Sequence, residues 1–323
     1  MHPLLDQFKN KKVLIVGDVM VDAYIIGKVD RVSPEAPVPV VNIEQRDMRL
    51  GGAANVAVNI QALQATPILC SVIGQDQEGE ELMQLLAQQG MTSSAIVRST
   101  TRKTTTKTRV ISNKHQLLRL DHEQTHDVLE QENLALIEAF SLHINDCDVV
   151  ILEDYNKGVL TQNNIPVLID IALKANKPIA VDPKKNNFLL YQNVTLFKPN
   201  LKELKEGLNS DLNLKDKVNL QTLVMALHQT LGNKMTMVTL SEDGVMVTDH
   251  THFEFIPAHI RNIADVSGAG DTVISVAALC LACGIDMKTM AELSNLAGGL
   301  VCEESGVVPV NLSKLANESQ YLL

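Results

Sequence analysis

The sequence predicts an α/β protein in which a mainly parallel sheet carries helices on both faces. Short apolar segments that end in polar residues recur along the chain, and stretches of helical character follow them. These segments are residues 13–16, 149–152, 178–181 and 237–240. Buried parallel strands have such continuous apolar runs, and their alternation with helices is typical of a parallel sheet.

The polar residues that follow these segments predict where a ligand would bind. They are Asp18 after the first segment, Glu153 and Asp154 after the second, Asp182 after the third and Ser241 after the fourth. Ligands of open parallel sheets collect at the carboxyl ends of the strands. We therefore expect these side chains to share one edge of the sheet.

Two stretches interrupt the strand–helix pattern. Residues 36–41 place β-branched residues between prolines, and residues 104–110 are rich in Thr, Val and Arg. Both compositions favour strands, the first at an edge. We expect one domain over residues 1–323, with a small β-lid formed by residues of about 19–50 and 94–121. Ordinary surface hairpins are the alternative.

Composition limits the possible partners of this 323-residue chain. Its formal net charge of −10 disfavours binding to nucleic acid or to an anionic membrane, and aromatic residues make up only 3%. The five cysteines lie in apolar stretches, which favours reduced thiols in a reducing compartment. The apolar run 273–283 is too short for a membrane span, which needs about 20 residues, and residues 1–12 do not have the pattern of an export signal. A cytoplasmic location is expected.

The segment Gly268-Ala269-Gly270-Asp271-Thr272 is the first candidate for chemistry. Its glycines allow a ligand to approach the backbone, and the apolar run after it predicts a helix whose first N–H groups suit an anion. A carboxylate at that position suits a general base beside a transferred phosphoryl group. An acidic residue that only complements the helix dipole is the alternative. The segment is neither a P-loop nor a complete dinucleotide fingerprint.

Two further segments complete the set of candidates. Gly51-Gly52-Ala53-Ala54-Asn55 permits close backbone packing at a helix start and offers an amide to a sugar hydroxyl; helix packing alone is the alternative. Asn200 and Glu203 face the same way in a first helical turn, where an amide and a carboxylate suit a hydrated Mg²⁺ that carries nucleotide phosphates. An N-terminal capping box accounts for the same pair, and both roles can hold together.

Together these segments resemble the signatures of the ribokinase-like (PfkB) carbohydrate kinases, in that family's order and spacing. The resemblance covers essentially the whole chain, and it implies a three-layer α/β sandwich with a β-lid. Within the family, residues 17–24, 31–40, 154–158 and 182–184 are similar to those of D-glycero-β-D-manno-heptose 7-phosphate kinases. Such kinases are often fused to a nucleotidyltransferase, and this chain resembles the stand-alone kinase or kinase domain.

The resemblance also implies roles for individual residues. Asp271 matches the catalytic base, and Gly268, Ala269 and Gly270 match the anion hole. Sugar-binding positions fall at Asp18, Gly51, Gly52 and Asn55. The ATP side falls at Asn200, Glu203, Ser241, Gly244 and Asn295, with Mg²⁺ held through water by the first two. Asp265 is a candidate for a monovalent cation.

A phosphorylated substrate requires cations, and Arg102, Lys103, Lys107 and Arg109 cluster in the expected lid, with Lys157 as a further candidate. The resemblance implies ATP, Mg²⁺ and a sugar phosphate as ligands, a homodimer through the lid, and phosphorylation of the anomeric hydroxyl for lipopolysaccharide-precursor synthesis. Two alternatives stay open: another sugar or sugar-phosphate kinase of this fold, and a non-catalytic sugar or nucleotide sensor.

Overall fold

The computed structural model describes residues 3–113 and 115–320. The strands are β1 (Lys12–Gly17), β2 (Val19–Val32), β3 (Pro39–Gly52), β4 (Thr66–Gly74), β5 (Ile96–Ser99), β6 (Thr105–Ser112), β7 (His115–His122), β8 (Val149–Glu153), β9 (Ile179–Asp182), β10 (Leu196–Phe197), β11 (Met235–Thr239), β12 (Val245–Thr248) and β13 (Phe253–Ile256). The helices are α1 (Pro3–Asp6), α2 (Ala53–Ala62), α3 (Gln77–Gln88), α4 (Glu130–His143), α5 (Ile165–Lys174), α6 (Leu201–Gly207), α7 (Lys217–Leu231), α8 (Ala269–Ala282), α9 (Met287–Val301) and α10 (Leu312–Ser319).

The large sheet has the strand order β13-β12-β11-β10-β9-β8-β1-β4-β5. Its strands run parallel from β5 to β11, and β12 and β13 add an antiparallel edge. The four apolar segments predicted as buried strands are β1, β8, β9 and β11, shifted by at most two residues. The expected mainly parallel sheet is therefore confirmed.

Side chains of β1 show how the layers arise. Val13 and Ile15 pack into a core with residues of α2, α8, α9 and α10, whereas Leu14 and Val16 pack into a second core with residues of α4, α5 and α7. Successive strand residues point to opposite faces, so a continuous apolar strand feeds both cores. The result is a three-layer sandwich with the sheet in the middle.

A second sheet, the lid sheet, has the order β3-β2-β6-β7, with β3 at an edge. The second predicted lid segment enters it only at Thr105, not at Ser94. The reason is that Ile96–Ser99 pairs with β4 and extends the large sheet instead. Its composition, rich in β-branched residues, predicted a strand but not which sheet would take it.

The two faces of the lid sheet differ in chemistry. One face carries Asp22 and Lys107, which are register partners, and Tyr24, whose hydroxyl accepts a hydrogen bond from the Val307 backbone N–H at 3.2 Å. That face therefore meets the body of the molecule. The opposite face is apolar and exposed, and its residues include Met48, Leu118 and Leu120.

Within the two described ranges, no helix combines the length and apolar content that crossing a bilayer requires.

Candidate active site

The carboxyl ends of the central strands meet at one edge of the sheet, as the polar residues after them predicted. Gly17 pairs with Glu153, and Glu153 pairs with Asp182 in the next strand. A cleft of about 970 Å³ opens at this edge. Its lining includes these predicted site residues: Asn200, Glu203, Ser241, Gly244, Gly268, Ala269, Gly270, Asp271 and Asn295.

Asp271 lies in the first turn of α8, facing the cleft, and is only 5% exposed. The helix begins after Gly268, which has a φ of 80° that other residues rarely adopt. A Cβ at Gly268 would lie 2.9 Å from the Asn55 amide nitrogen, so glycine also leaves room for that side chain.

Two neutral donors hold the Asp271 carboxylate. The Asn55 amide donates to Oδ2 at 2.7 Å, and the Tyr155 hydroxyl donates to Oδ1 at 2.6 Å. Burial raises the pKa of Asp271 to about 6, although both hydrogen bonds act in the opposite direction. A carboxyl group with this pKa is available as a proton acceptor near neutral pH.

The first turn of α8, predicted to bind an anion, lines the cleft. The N–H groups of Gly270 and Asp271 have no hydrogen-bond acceptor among the described residues. Ala269, which was expected to share this role, donates its N–H to the Val266 carbonyl at 3.3 Å. The N–H of Gly268 at the N-cap likewise has no acceptor within the described ranges, so the free donors of this turn are those of Gly268, Gly270 and Asp271.

The Gly51–Asn55 segment contacts Asp271 through Asn55. Gly52 precedes α2 with a φ of 59°, and a Cβ at Gly51 would lie 2.2 Å from an oxygen of Asp22. Asn59, one turn after Asn55, donates from its amide to the Asn55 carbonyl at 3.0 Å. Because both glycines lack a side chain, the backbone there can lie close to neighbouring groups. The amide of Asn55 orients Asp271.

Asp18, predicted to contact sugar hydroxyls, accepts several backbone hydrogen bonds. Its Oδ2 accepts from the backbone N–H groups of Tyr155 and Lys157 at 2.8 and 3.0 Å, and its Oδ1 accepts from Val159 at 3.0 Å. It is 1% exposed, and burial raises its pKa. Asp18 thus positions the segment after β8, and its predicted contact with sugar hydroxyls stays a prediction.

Asp22 is a candidate ligand contact that the sequence reasoning did not single out. It lies four residues further along, beside Gly51 on the inner face of the lid sheet, where it forms an ion pair with Arg109. The signal was available, because Asp18 and Asp22 lie in the same short segment. Spacing alone could not show which of the two carboxylates would accept the hydrogen bonds from backbone N–H groups.

Asn200 and Glu203 form a capping box at the start of α6. The Asn200 side-chain oxygen accepts from the Glu203 N–H at 2.8 Å, and Glu203 accepts from the Asn200 N–H at 2.9 Å. Glu203 also pairs with Lys184. The capping box expected as an alternative for this pair is therefore present. Both side chains also line the cleft.

Ser241, Gly244 and Asn295 line the cleft at the side formed by β11, β12 and α9. Gly244 has a φ of 93°, and a Cβ there would lie 2.1 Å from the Ile256 carbonyl oxygen. Asn295 donates to the Pro257 carbonyl at 2.8 Å. Tight backbone turns thus shape this side of the cleft.

The predicted lid cations have mostly protein partners. Arg102 is buried and donates to the His126 carbonyl at 3.0 Å, Arg109 pairs with Asp22, and Lys157 pairs with Glu123 at 2.7 Å. Arg102, Lys103 and Lys157 line a separate small hollow with Asp18. The structure therefore divides the cluster instead of gathering it around one anion.

Lys107 differs from Arg102, Arg109 and Lys157, which have partners, and from Lys103, which is exposed. It is half-buried, and within the described ranges its ammonium group has no salt bridge or hydrogen bond. Burial and the neighbouring charge of Lys157 lower its pKa. Such a cation has unused capacity for an anionic group of a ligand.

Asp265 stabilises the turn before α8. One of its oxygens accepts from the Ser267 N–H at 2.9 Å, and the other accepts from the Gly306 N–H at 3.0 Å. These hydrogen bonds keep the pKa of Asp265 below its usual value, against the effect of burial. The carboxylate thus ties the anion-binding turn to the loop after α9.

A model of the pfkB family of carbohydrate kinases matches residues 10–314. The chain is similar to the bifunctional protein HldE of Wolinella succinogenes, with 36% identity over 304 residues, and to that of Caulobacter sp. strain K31, with 40% over 309 residues. These alignments cover 94% and 95% of this chain but only 64% and 62% of the relatives. The chain thus spans less than two thirds of their length.

Solved structures of this fold are also similar. Phosphofructokinase-2 from Escherichia coli, in complex with potassium, has a TM-score of 0.80 at 20% identity, covering 97% of this chain and 99% of that one. An Arabidopsis thaliana ribokinase complexed with ribose and ATP gives 0.74 at 15%, covering 95% and 99%. The ribokinase-like fold and the resemblance inferred from the motifs are confirmed, and the chain belongs to the pfkB family of carbohydrate kinases.

Proposed function

We propose that this carbohydrate kinase transfers the γ-phosphoryl group of ATP to the anomeric hydroxyl of D-glycero-β-D-manno-heptose 7-phosphate. The product is the 1,7-bisphosphate, a precursor of the lipopolysaccharide core made in the cytoplasm. The observation that carries the proposal is the likeness to HldE proteins along nearly the whole chain, with Asp271 buried between two donors at the cleft. The segments typical of heptose kinases support this choice of sugar.

The protein groups support an in-line transfer. The anomeric oxygen attacks the γ-phosphorus, its proton passes to Asp271, and the bond to the β-phosphate oxygen breaks to release ADP. The N–H groups of Gly270 and Asp271 point at the cleft from the start of α8, where they would stabilise charge on the transferred group.

The nucleotide would lie along the side lined by Ser241, Gly244 and Asn295. Mg²⁺, when bound, neutralises phosphate charge during such transfers. Asn200 and Glu203 remain the proposed holders of this ion through water, since both line the same cleft. Asp265 remains the proposed contact for a monovalent cation because it anchors the anion-binding turn.

The 7-phosphate would meet the inner face of the lid sheet. Lys107 offers a cation without a protein partner among the described residues, and Lys157 lies near enough to affect its pKa. Asp22, beside Gly51 on that face, offers an acceptor to sugar hydroxyls. This arrangement supports a substrate with a polar body and an anionic end.

The apolar face of the lid sheet supports a homodimer. Leu118 and Leu120 are 45% and 56% exposed there, and a second copy of the same face would cover them.

A coupled assay of ADP formation tests the proposed substrate. The purified chain is given ATP, Mg²⁺ and one acceptor at a time: the heptose 7-phosphate, fructose 1-phosphate, fructose 6-phosphate or ribose. The heptose 7-phosphate should give the highest kcat/KM, and Asp271→Asn sets the background for each acceptor. A higher kcat/KM with another sugar would transfer the proposal to that substrate, and no acceptor-dependent ADP at all would favour a sensor.

A further inference from the structure

Three carboxylates meet at the carboxyl ends of β8 and β9, and two of them, Glu153 and Asp182, have no part in the mechanism above. Glu153, Asp182 and Asp271 each offer an oxygen within 4.8 Å of the others. Their exposed fractions are 0%, 4% and 5%. The register of β8 and β9 brings the first two together, and the first turn of α8 adds the third.

Glu153 differs from its two neighbours because the protein does not satisfy it. Asp182 forms a salt bridge with Lys198 at 2.8 Å, and Asp271 has two donors. Neither oxygen of Glu153 has a hydrogen-bond partner in the described part of the chain. A buried polar group without a partner is rare and costly, which indicates that something else binds there.

The charges around Glu153 are unbalanced. Two lysines lie among the acidic groups: Lys184 pairs with Glu203, and Lys198 pairs with Asp182. In the described part of the chain, neither Glu153 nor Asp271 forms a salt bridge. Carboxyl groups crowded in a buried site disfavour one another's charged forms, and a divalent cation would relieve that repulsion.

The spacing of the oxygens also suits an ion. Ligand oxygens about 2.1 Å from one ion are separated by no more than about 4.2 Å, so three carboxylates with oxygens within 4.8 Å of one another need only a small side-chain adjustment to share an ion. Asp182 and Asp271 line the cleft, whereas Glu153 lies beneath them. An ion could therefore enter from the cleft and reach Glu153 from above.

We propose that Glu153 and Asp182 bind a divalent cation directly, beside Asp271, before any nucleotide enters the cleft. This inference deepens the proposed kinase site, and only the role of the ion in catalysis rests on that proposal. It differs from the expectation of a water-mediated site at Asn200 and Glu203. Those two side chains hold each other, and Glu203 also holds Lys184.

Titration of the full chain with Mn²⁺ alone tests the site, because the paramagnetic signal of free Mn²⁺ falls when the ion binds. Wild type should bind Mn²⁺ without nucleotide or sugar. Glu153→Gln should weaken this binding by about tenfold or more, since loss of even an outer-shell partner often costs 10–100-fold. Glu203→Gln tests the capping box as the place of the ion. Glu138→Gln, which changes an exposed carboxylate of α4 outside the cleft lining, is the matched control and should bind as wild type does.

Several outcomes would overturn the site. Unchanged affinity in Glu153→Gln would mean that Glu153 carries a proton instead. Loss of binding in Glu203→Gln alone would place the ion at the capping box, and absence of binding in wild type would remove the site altogether. If Glu153→Gln does not fold, Asp182→Asn replaces it: Mn²⁺ should raise the melting temperature of wild type but not of this variant. Because no sugar is present, the site can fail while the substrate proposal stands.

Discussion

At the scale of single residues, the central feature is a buried carboxylate held by uncharged donors. Asn55 and Tyr155 fix both oxygens of Asp271 without placing a positive charge on either. A salt bridge would lower the basicity of such a group, whereas neutral donors orient it and leave the pKa near 6. Orientation and basicity are therefore both preserved.

Asp271→Asn should lower kcat by about 10²–10⁴-fold, the usual contribution of a general base. The amide keeps the shape of the side chain but cannot accept the proton. Steady-state kinetics with the preferred sugar phosphate measure the effect, and thermal unfolding verifies that the variant is folded. Near-normal turnover in a folded variant would contradict the assignment.

Tyr155→Phe should move the acid limb of the kcat/KM profile to higher pH. The hydroxyl stabilises the charged form of Asp271, so its loss raises the pKa of a base that works only when deprotonated. A hydrogen bond to a charged group corresponds to a shift of about one pH unit. Tyr191→Phe is the matched control, because Tyr191 donates to Asp154 instead. Coincident acid limbs for wild type and Tyr155→Phe would argue against this contact.

At the scale of elements, Asp18 joins the end of β1 to the segment after β8. Three backbone N–H groups converge on its carboxylate, and that segment carries Tyr155 towards the base. The Asp18 carboxylate thus supplies acceptors for N–H groups of this loop that have no backbone acceptor of their own. Asp18 therefore acts on the site through the position of this segment.

Asp18→Asn should destabilise the protein by about 1–3 kcal/mol, because an amide turns an NH₂ group towards backbone donors. Urea denaturation measures the difference. Asp170→Asn on α5 removes an exposed carboxylate that pairs with Lys174, and it should change stability by only a few tenths of a kcal/mol. Equal stability of the two variants would show that the three contacts matter little.

The elements were more predictable than the contacts of the site. Apolar runs such as β1 and β8 leave few alternatives to buried strands. The glycines at the start of α8 predicted the turn that begins this helix. In contrast, strand-end acids look alike in sequence. Asp18 accepts hydrogen bonds from backbone N–H groups, whereas the carboxyl oxygens of Glu153 have no hydrogen-bond partner in the described ranges. Only the packing of neighbouring loops distinguishes the two acids.

At the scale of the whole molecule, the lid sheet has two faces with separate uses. The inner face carries alternating charges towards the body, including the Asp22–Arg109 pair. The outer face presents leucines to solvent. A sheet with an exposed apolar face needs a cover, and a second copy of the chain supplies one in the proposed dimer.

Leu120→Asp should shift the chain from dimer to monomer, because the new carboxylate would be desolvated in the interface. Sedimentation velocity measures the assembly state. Leu142→Asp on α4 is the matched control, since Leu142 is 71% exposed and lies outside the lid sheet. A dimer that survives Leu120→Asp would place the contact elsewhere.

The hydrogen bonds to Asp271 join distant parts of the chain: Asn55 is 216 residues away and Tyr155 is 116. During synthesis the chain contains Asn55 and Tyr155 long before Asp271 is added. Contacts of such long sequence separation also carry a large entropic cost of loop closure, which slows folding. In the proposed mechanism, proton transfer requires α8 in contact with both residues, so an unfinished or partly folded chain is not expected to consume ATP by this route.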